Sequence, residues 1–199
     1  MCHKQSKMSK SIELSWDNIT ISQYAEIDKY RRAEGYDLMQ KGIAILSVIT
    51  GKKVEELEKL PISHITNQIK VLYDWLNQPI EPKLLKSFKA GGRKFNLYLD
   101  TENLTYGDFE QISLLKITED TLSDKCPAIL AQLSKEHIPT FRKFRTPLTF
   151  KEKEQLFRSL PASIGMAVAL FFYNLANELQ PIVLEKLNQD IEDLNKMMK

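Results

Sequence analysis

Gly91 and Gly92 separate two runs of alternating polarity, LLKSFKA and RKFNLYL. Adjacent glycines take the positive φ angles of a two-residue hairpin loop without steric cost. The register set by that loop places Phe88 opposite Phe95 and Leu84 opposite Leu99. Leu97 falls on the same face, opposite Lys86. Ser87, Lys89, Lys94 and Asn96 fall on the other face. A β-hairpin over 84–99, apolar inside and basic at its tip, is therefore expected at the centre of the chain. Elsewhere only SIELSW, residues 11–16, is short and mixed enough to suggest a strand.

The rest of the chain carries helical periodicity. Thr20 and Gln23 have the spacing of a capping box, in which side chain and backbone at a helix start bond each other reciprocally. Ile21, Tyr24 and Ile27 share one face of the helix that follows. Glu34-Gly35 breaks it, and a second helix over 36–49 ends at Thr50-Gly51. KVEELEKL is a short helix stopped by Pro61. Ile62, Ile65, Ile69, Leu72 and Leu76 then form one apolar stripe, ended by Pro79 and Pro82. Thr105 with Asp108 and Thr149 with Glu152 repeat the capping signal. The first of these opens a helix toward Leu115. NITISQYAEI and NLTYGDFEQI share a pattern that a duplicated unit would also give; two strand-to-helix entries meeting one capping requirement is the favoured reading, since the match extends no further. Residues 121–136 read as a helix with Ile129, Leu130 and Leu133 inward. The helix after Thr149 ends near Leu160-Pro161, and an apolar helix spans about 162–179. The final segment carries Val183, Leu187, Ile191, Leu194 and Met198 as a stripe.

These signals predict a mainly α chain with a small β-hairpin, an α+β domain built like a helical bundle. Residues 1–11 read as a flexible tail, and 12–136 as a helical region with the hairpin at its centre. Residues 137–149 form a basic connector marked by Pro139 and Pro147. Residues 150–199 form a C-terminal helical region packing on the same domain.

With 199 residues, of which 43% are hydrophobic and 27% charged, the chain can bury a sizeable core. A net charge of +2 excludes a chain wholly devoted to nucleic acid. Two cysteines, Cys2 and Cys126, make no disulfide framework and fit a reducing compartment. The basic N-terminus lacks the apolar core of a secretory signal. The most apolar run, IGMAVALFFY, has ten residues, about half of what a membrane span needs, and reads as a buried helix.

No catalytic constellation emerges. His3, His64 and His137 lack metal-ligand spacing. Cys126 carries no nucleophile signature, the glycine pair has no phosphate-loop context, and no cofactor is expected. Two basic patches interleave with aromatics: Lys89, Arg93 and Lys94 with the nearby Lys83 and Lys86, and Arg142, Lys143 and Arg145 with Phe141 and Phe144. Such patches can grip phosphates. Charge on a hairpin edge also prevents pairing with other chains, and the near-neutral chain favours that second reading. The terminal stripe from Val183 to Met198 is the best candidate for binding a partner.

The order of elements resembles that of tailed-bacteriophage tail assembly chaperones and related morphogenesis proteins. Trp16-Asp17-Asn18-Ile19-Thr20-Ile21, Thr50-Gly51, the hairpin from Phe88 to Leu99, LTYGDFEQI, Ile129-Leu130-Ala131 and LPASIGMAVALFFYNL carry the resemblance. It spans most of residues 12–185 as a match of pattern, without a diagnostic motif; the basic connector departs from it. The resemblance implies a non-enzymatic protein of the host cytoplasm that binds a phage structural protein, such as a tape-measure or tail subunit. A structural component of the virion, as a homo-oligomer, is the alternative, and a nucleic-acid-binding module a second.

Overall fold

A computed structural model describes residues 14–79, 85–98, 105–139 and 146–178. Eight helices and three strands follow in order: α1 (Ile21–Arg32), α2 (Leu38–Thr50), α3 (Val54–Leu57), α4 (Ile62–Leu76), β1 (Ser87–Ala90), β2 (Arg93–Leu97), α5 (Tyr106–Ser113), α6 (Leu122–Leu133), β3 (Ser134–His137), α7 (Phe150–Phe157) and α8 (162–178). The strands form one antiparallel sheet in the order β1-β2-β3. The fold is thus mainly helical with a small sheet, as the periodicities require.

Local chemistry fixes four of these helix starts. Thr20, Thr105 and Thr149 each accept from the backbone N–H three residues on, and Gln23, Asp108 and Glu152 reach back to close the box. A fourth box, Asp37 with Gln40, starts α2 at Leu38. Gly51 ends α2 in the left-handed conformation at φ 67°, where a side chain would be strained.

The hairpin has the register expected of its glycine loop. Phe88 pairs with Phe95 and Lys89 with Lys94. Gly91 and Gly92 take φ of 53° and 69°. Leu97 N–H donates to the Lys86 carbonyl. Phe88, Phe95 and Phe157 pack as an aromatic triad, with ring centroids 4.9–5.5 Å apart, so α7 covers the inner face of the sheet. The Leu84–Leu99 pairing lies outside the described residues.

Three expectations are corrected. The helix expected over 121–136 stops at Leu133, and residues 134–137 pair with β2 as a third strand. Lys153 makes this stop possible: its Nζ donates to the carbonyls of Ala131 and Ser134 at 2.7 and 2.9 Å, serving α6's end as a C-terminal cation does. Leu14–Trp16, the described part of SIELSW, forms no strand. The chain turns there, with Asn18 N–H donating to the Ser15 carbonyl at 3.0 Å. Ile62 is 78% exposed, because the first position of α4 projects past the helices that bury the stripe from Ile65 onward.

The apolar run behaves as a core helix. Met166, Ala167, Val168, Ala169 and Phe172 of α8 are buried. Among the described residues no helix is long and apolar enough to cross a membrane. The N-termini of α1 and α8 are spliced together. Ile21 and Ser22 N–H donate to the carbonyls of Leu160 and Arg158 at 2.8 and 3.0 Å. In return, Ala162 and Ser163 N–H donate to the carbonyls of Ile19 and Trp16 at 2.7 and 3.2 Å. Two helix starts, each with orphan donors, thereby satisfy one another. Gly165 allows the close approach: a Cβ there would overlap the Ile21 side chain and lie 2.8 Å from Cys126 Sγ.

Gly165→Ala is expected to lose about 2 kcal/mol of stability by chemical denaturation, since overpacking outweighs the helix propensity gained. Adding Ile21→Val should recover part of the loss.

Hydrogen bonds from Thr105 hold the Asp108 carboxyl below the usual carboxylate range, and bonds from Thr149 do the same for Glu152. A folded pKa below the unfolded one gives stability that is present above the unfolded pKa. That stability is lost as pH falls through the folded one. Denaturation midpoints should therefore fall as pH drops below about 4, and less so in the double variant Asp108→Asn, Glu152→Gln.

Candidate functional site

The residues singled out on the hairpin separate. Lys89 and Lys94 sit exposed on the outer face of the sheet, cross-strand neighbours, with His137 beside Lys94 on β3. Lys135, also on β3, lies over the Tyr98 ring at 4.6 Å. Arg93 instead turns to the inner face. Its Nη1 donates to both carboxylate oxygens of Glu136 at 2.8 Å and to the Thr146 carbonyl at 3.4 Å. The Glu136 side chain is only 4% exposed, and its Oε2 also accepts from Leu148 N–H. Arg93 is therefore a clasp between the hairpin, β3 and the chain entering α7. Arg142, Lys143 and Arg145 lie outside the described residues, as do Val183, Leu187, Ile191, Leu194 and Met198.

Arg93→Ala is expected to cost about 3 kcal/mol, because it strands a buried carboxylate, whereas Lys89→Ala should stay within about 0.5 kcal/mol. Urea denaturation of both variants checks the contrast.

His64 and Cys126 have structural surroundings. His64 Nε2 lies 3.0 Å from Gln68 Nε2. Cys126 is fully buried, and burial raises its thiol pKa, so it stays protonated. Among the described residues no group of three or more His, Cys, Asp or Glu side chains could hold a metal ion.

A groove that no local signal announces runs between the C-terminal end of α4 and α8. The turn of residues 15–18 sets Trp16 on its floor, where the indole lies 4.1 Å from Trp75 and 5.4 Å from Tyr24, centroid to centroid. Ser163 Oγ donates to Asp17 Oδ1 at 2.5 Å and pins this turn to α8. Three sections follow one another. The first, about 570 Å³, lies among Leu14, Trp16, Trp75, Leu85 and Ile164. The central one, about 350 Å³, shares Trp16, Gln78 and Pro79 with it and adds Tyr24, Arg31, Leu76, Asn77 and Leu170. The third, about 390 Å³, continues past Tyr24, Arg31 and Leu170 to Asp28, Arg32, Glu119 and Ser123.

Its polar groups divide into committed acceptors and free donors. Asp28, buried, accepts from Ser123 Oγ at 2.8 Å and pairs with Arg32 at 3.1 Å. Arg32 also bonds Asp120 and the Glu119 carbonyl. Burial, reinforced by Asp28, raises the Tyr24 pKa, so its phenol is a donor and not a base. Among the described residues the buried Trp16 indole N–H has no acceptor, a deficit of about 1–3 kcal/mol. Arg31 has no ion-pair partner among the described residues. The sequence places Tyr24 on a core face, but nothing local brings Trp16, Arg31, Gln78 and Leu170 together, because each comes from a different element.

Comparison with protein-family models, with curated proteins and with solved structures finds no match.

Proposed function

We propose that this chain is a non-enzymatic bacteriophage assembly protein, similar in role to a tail assembly chaperone, that holds a segment of a structural partner in the groove between α4 and α8. The groove carries this reading. It runs through three contiguous sections and combines an aromatic floor with Arg31, a cation that has no ion-pair partner among the described residues. Such a surface suits a length of another chain better than a small substrate, which calls for an enclosed, convergent pocket. Asp17 and Asp28 within it are already bonded to neighbours, and Tyr24 and Arg31 are donors, so these groups suit recognition more than proton transfer. The pattern of elements shared with phage morphogenesis proteins supports a tape-measure or tail subunit as partner, bound in the host cytoplasm until assembly uses it.

Quantitative mass spectrometry of purified phage particles against infected-cell lysate tests the role. Abundance in the lysate with absence from particles is the expected result. A fixed copy number per particle would overturn the chaperone role and make the chain a virion component.

A further inference from the structure

We infer that the central section of the groove binds a carboxylate that sits next to an apolar side chain on a segment of the partner protein. The inference rests on the groove being a protein-docking surface and adds the chemistry of its occupant. Among the described residues Arg31 is the only charged one lining that section, and no ion pair there engages it. The neighbouring polar groups are the protonated Tyr24 phenol and the Asn77 and Gln78 amides, all able to donate. Among the described residues no anion lines this section, so the Arg31 charge has no counterpart within it. An incoming carboxylate supplies charge for Arg31 and acceptors for the rest. Leu76 and Leu170 offer the adjoining apolar contact.

The flanks decide between one carboxylate and a polyanion. Asp17 lines the section on one side and Glu119 the section on the other. Binding a nucleic-acid strand takes a run of cations along the backbone. Along the three sections Arg31 and Arg32 stand among Asp17, Asp28 and Glu119, and Arg32 is already paired with Asp28, so the groove admits one isolated negative charge and repels a chain of them. A peptide segment with one acidic residue among apolar ones meets that pattern.

Selection of short random peptides, displayed on ribosomes, against the full chain tests this. Parallel rounds would use Arg31→Glu and Tyr24→Phe variants whose fold is checked by circular dichroism. Arg31 is exposed and makes no ion pair, so its replacement should leave the fold intact. Selected peptides should be enriched in Asp or Glu, or in a free C-terminal carboxylate, beside apolar residues. Their affinity should fall about tenfold or more with Arg31→Glu and less with Tyr24→Phe. Peptides without acidic enrichment, equal binding to the Arg31→Glu chain, or no selected binders would overturn the inference. So would Arg31-dependent binding of a single-stranded oligonucleotide in competition with the peptides. None of these results touches the abundance of the chain in particles, so the occupant's chemistry and the assembly role fail separately.

Discussion

Hydrogen bonds exchanged between the starts of α1 and α8 are the constraint on which the rest of the architecture depends. A helix N-terminus leaves four N–H groups without intrahelical partners. Side-chain caps such as Thr20 and its box partner Gln23 serve only part of that need. Here the chain before one helix supplies carbonyls to the other, in both directions, across the bridge between Thr20 and Pro161. The arrangement fixes the start of α8 against the start of α1. That is why position 165 tolerates no Cβ, why Cys126 is sealed, and why Trp16 is held at the surface of the core.

The two ends of the molecule make different use of polar chemistry. At the sheet, charges that look available in sequence are spent on structure: Arg93 and Lys153 join strands and helix ends. At the groove the reverse holds, and residues that look structural in sequence supply the unpaired donors. Only bonding partners distinguish the two cases. Arg93 faces a buried carboxylate, and Arg31 faces an open section whose nearest acids are already bonded or set apart at the flanks.

What could be read from the sequence was what neighbouring residues decide among themselves. The boxes at Thr20, Thr105 and Thr149 act across three positions, and the glycine loop fixes a register over a few residues, so both were legible. The box at Asp37 is equally local, but Tyr36 before it also fits the helical pattern and masks the boundary. The third strand was not legible. Ser134 to His137 continues the helical pattern of α6, and it is the open edge of β2, with Lys153 and Arg93, that draws it into the sheet. The stripe of α4 was legible except at Ile62, whose exposure depends on where the neighbouring helices stop. The groove was the least legible feature, since its residues meet only through the tertiary packing of α1, α4 and α8.

The pairing of Asp17 with Ser163 joins residues 146 positions apart, and this sets an order on synthesis. Chains emerge from the ribosome at roughly 5–20 residues per second. The first turn of α1 therefore waits on the order of ten seconds for the carbonyls that complete it. Local helices and the hairpin can form in that interval, because their contacts are short in range. The floor of the groove is not pinned until Ser163 appears, so a chain interrupted before Leu160 has most of its secondary structure but lacks the α8 wall of its binding surface. A fragment released at that stage carries Arg31 and Tyr24 without that wall, and so competes poorly for the partner.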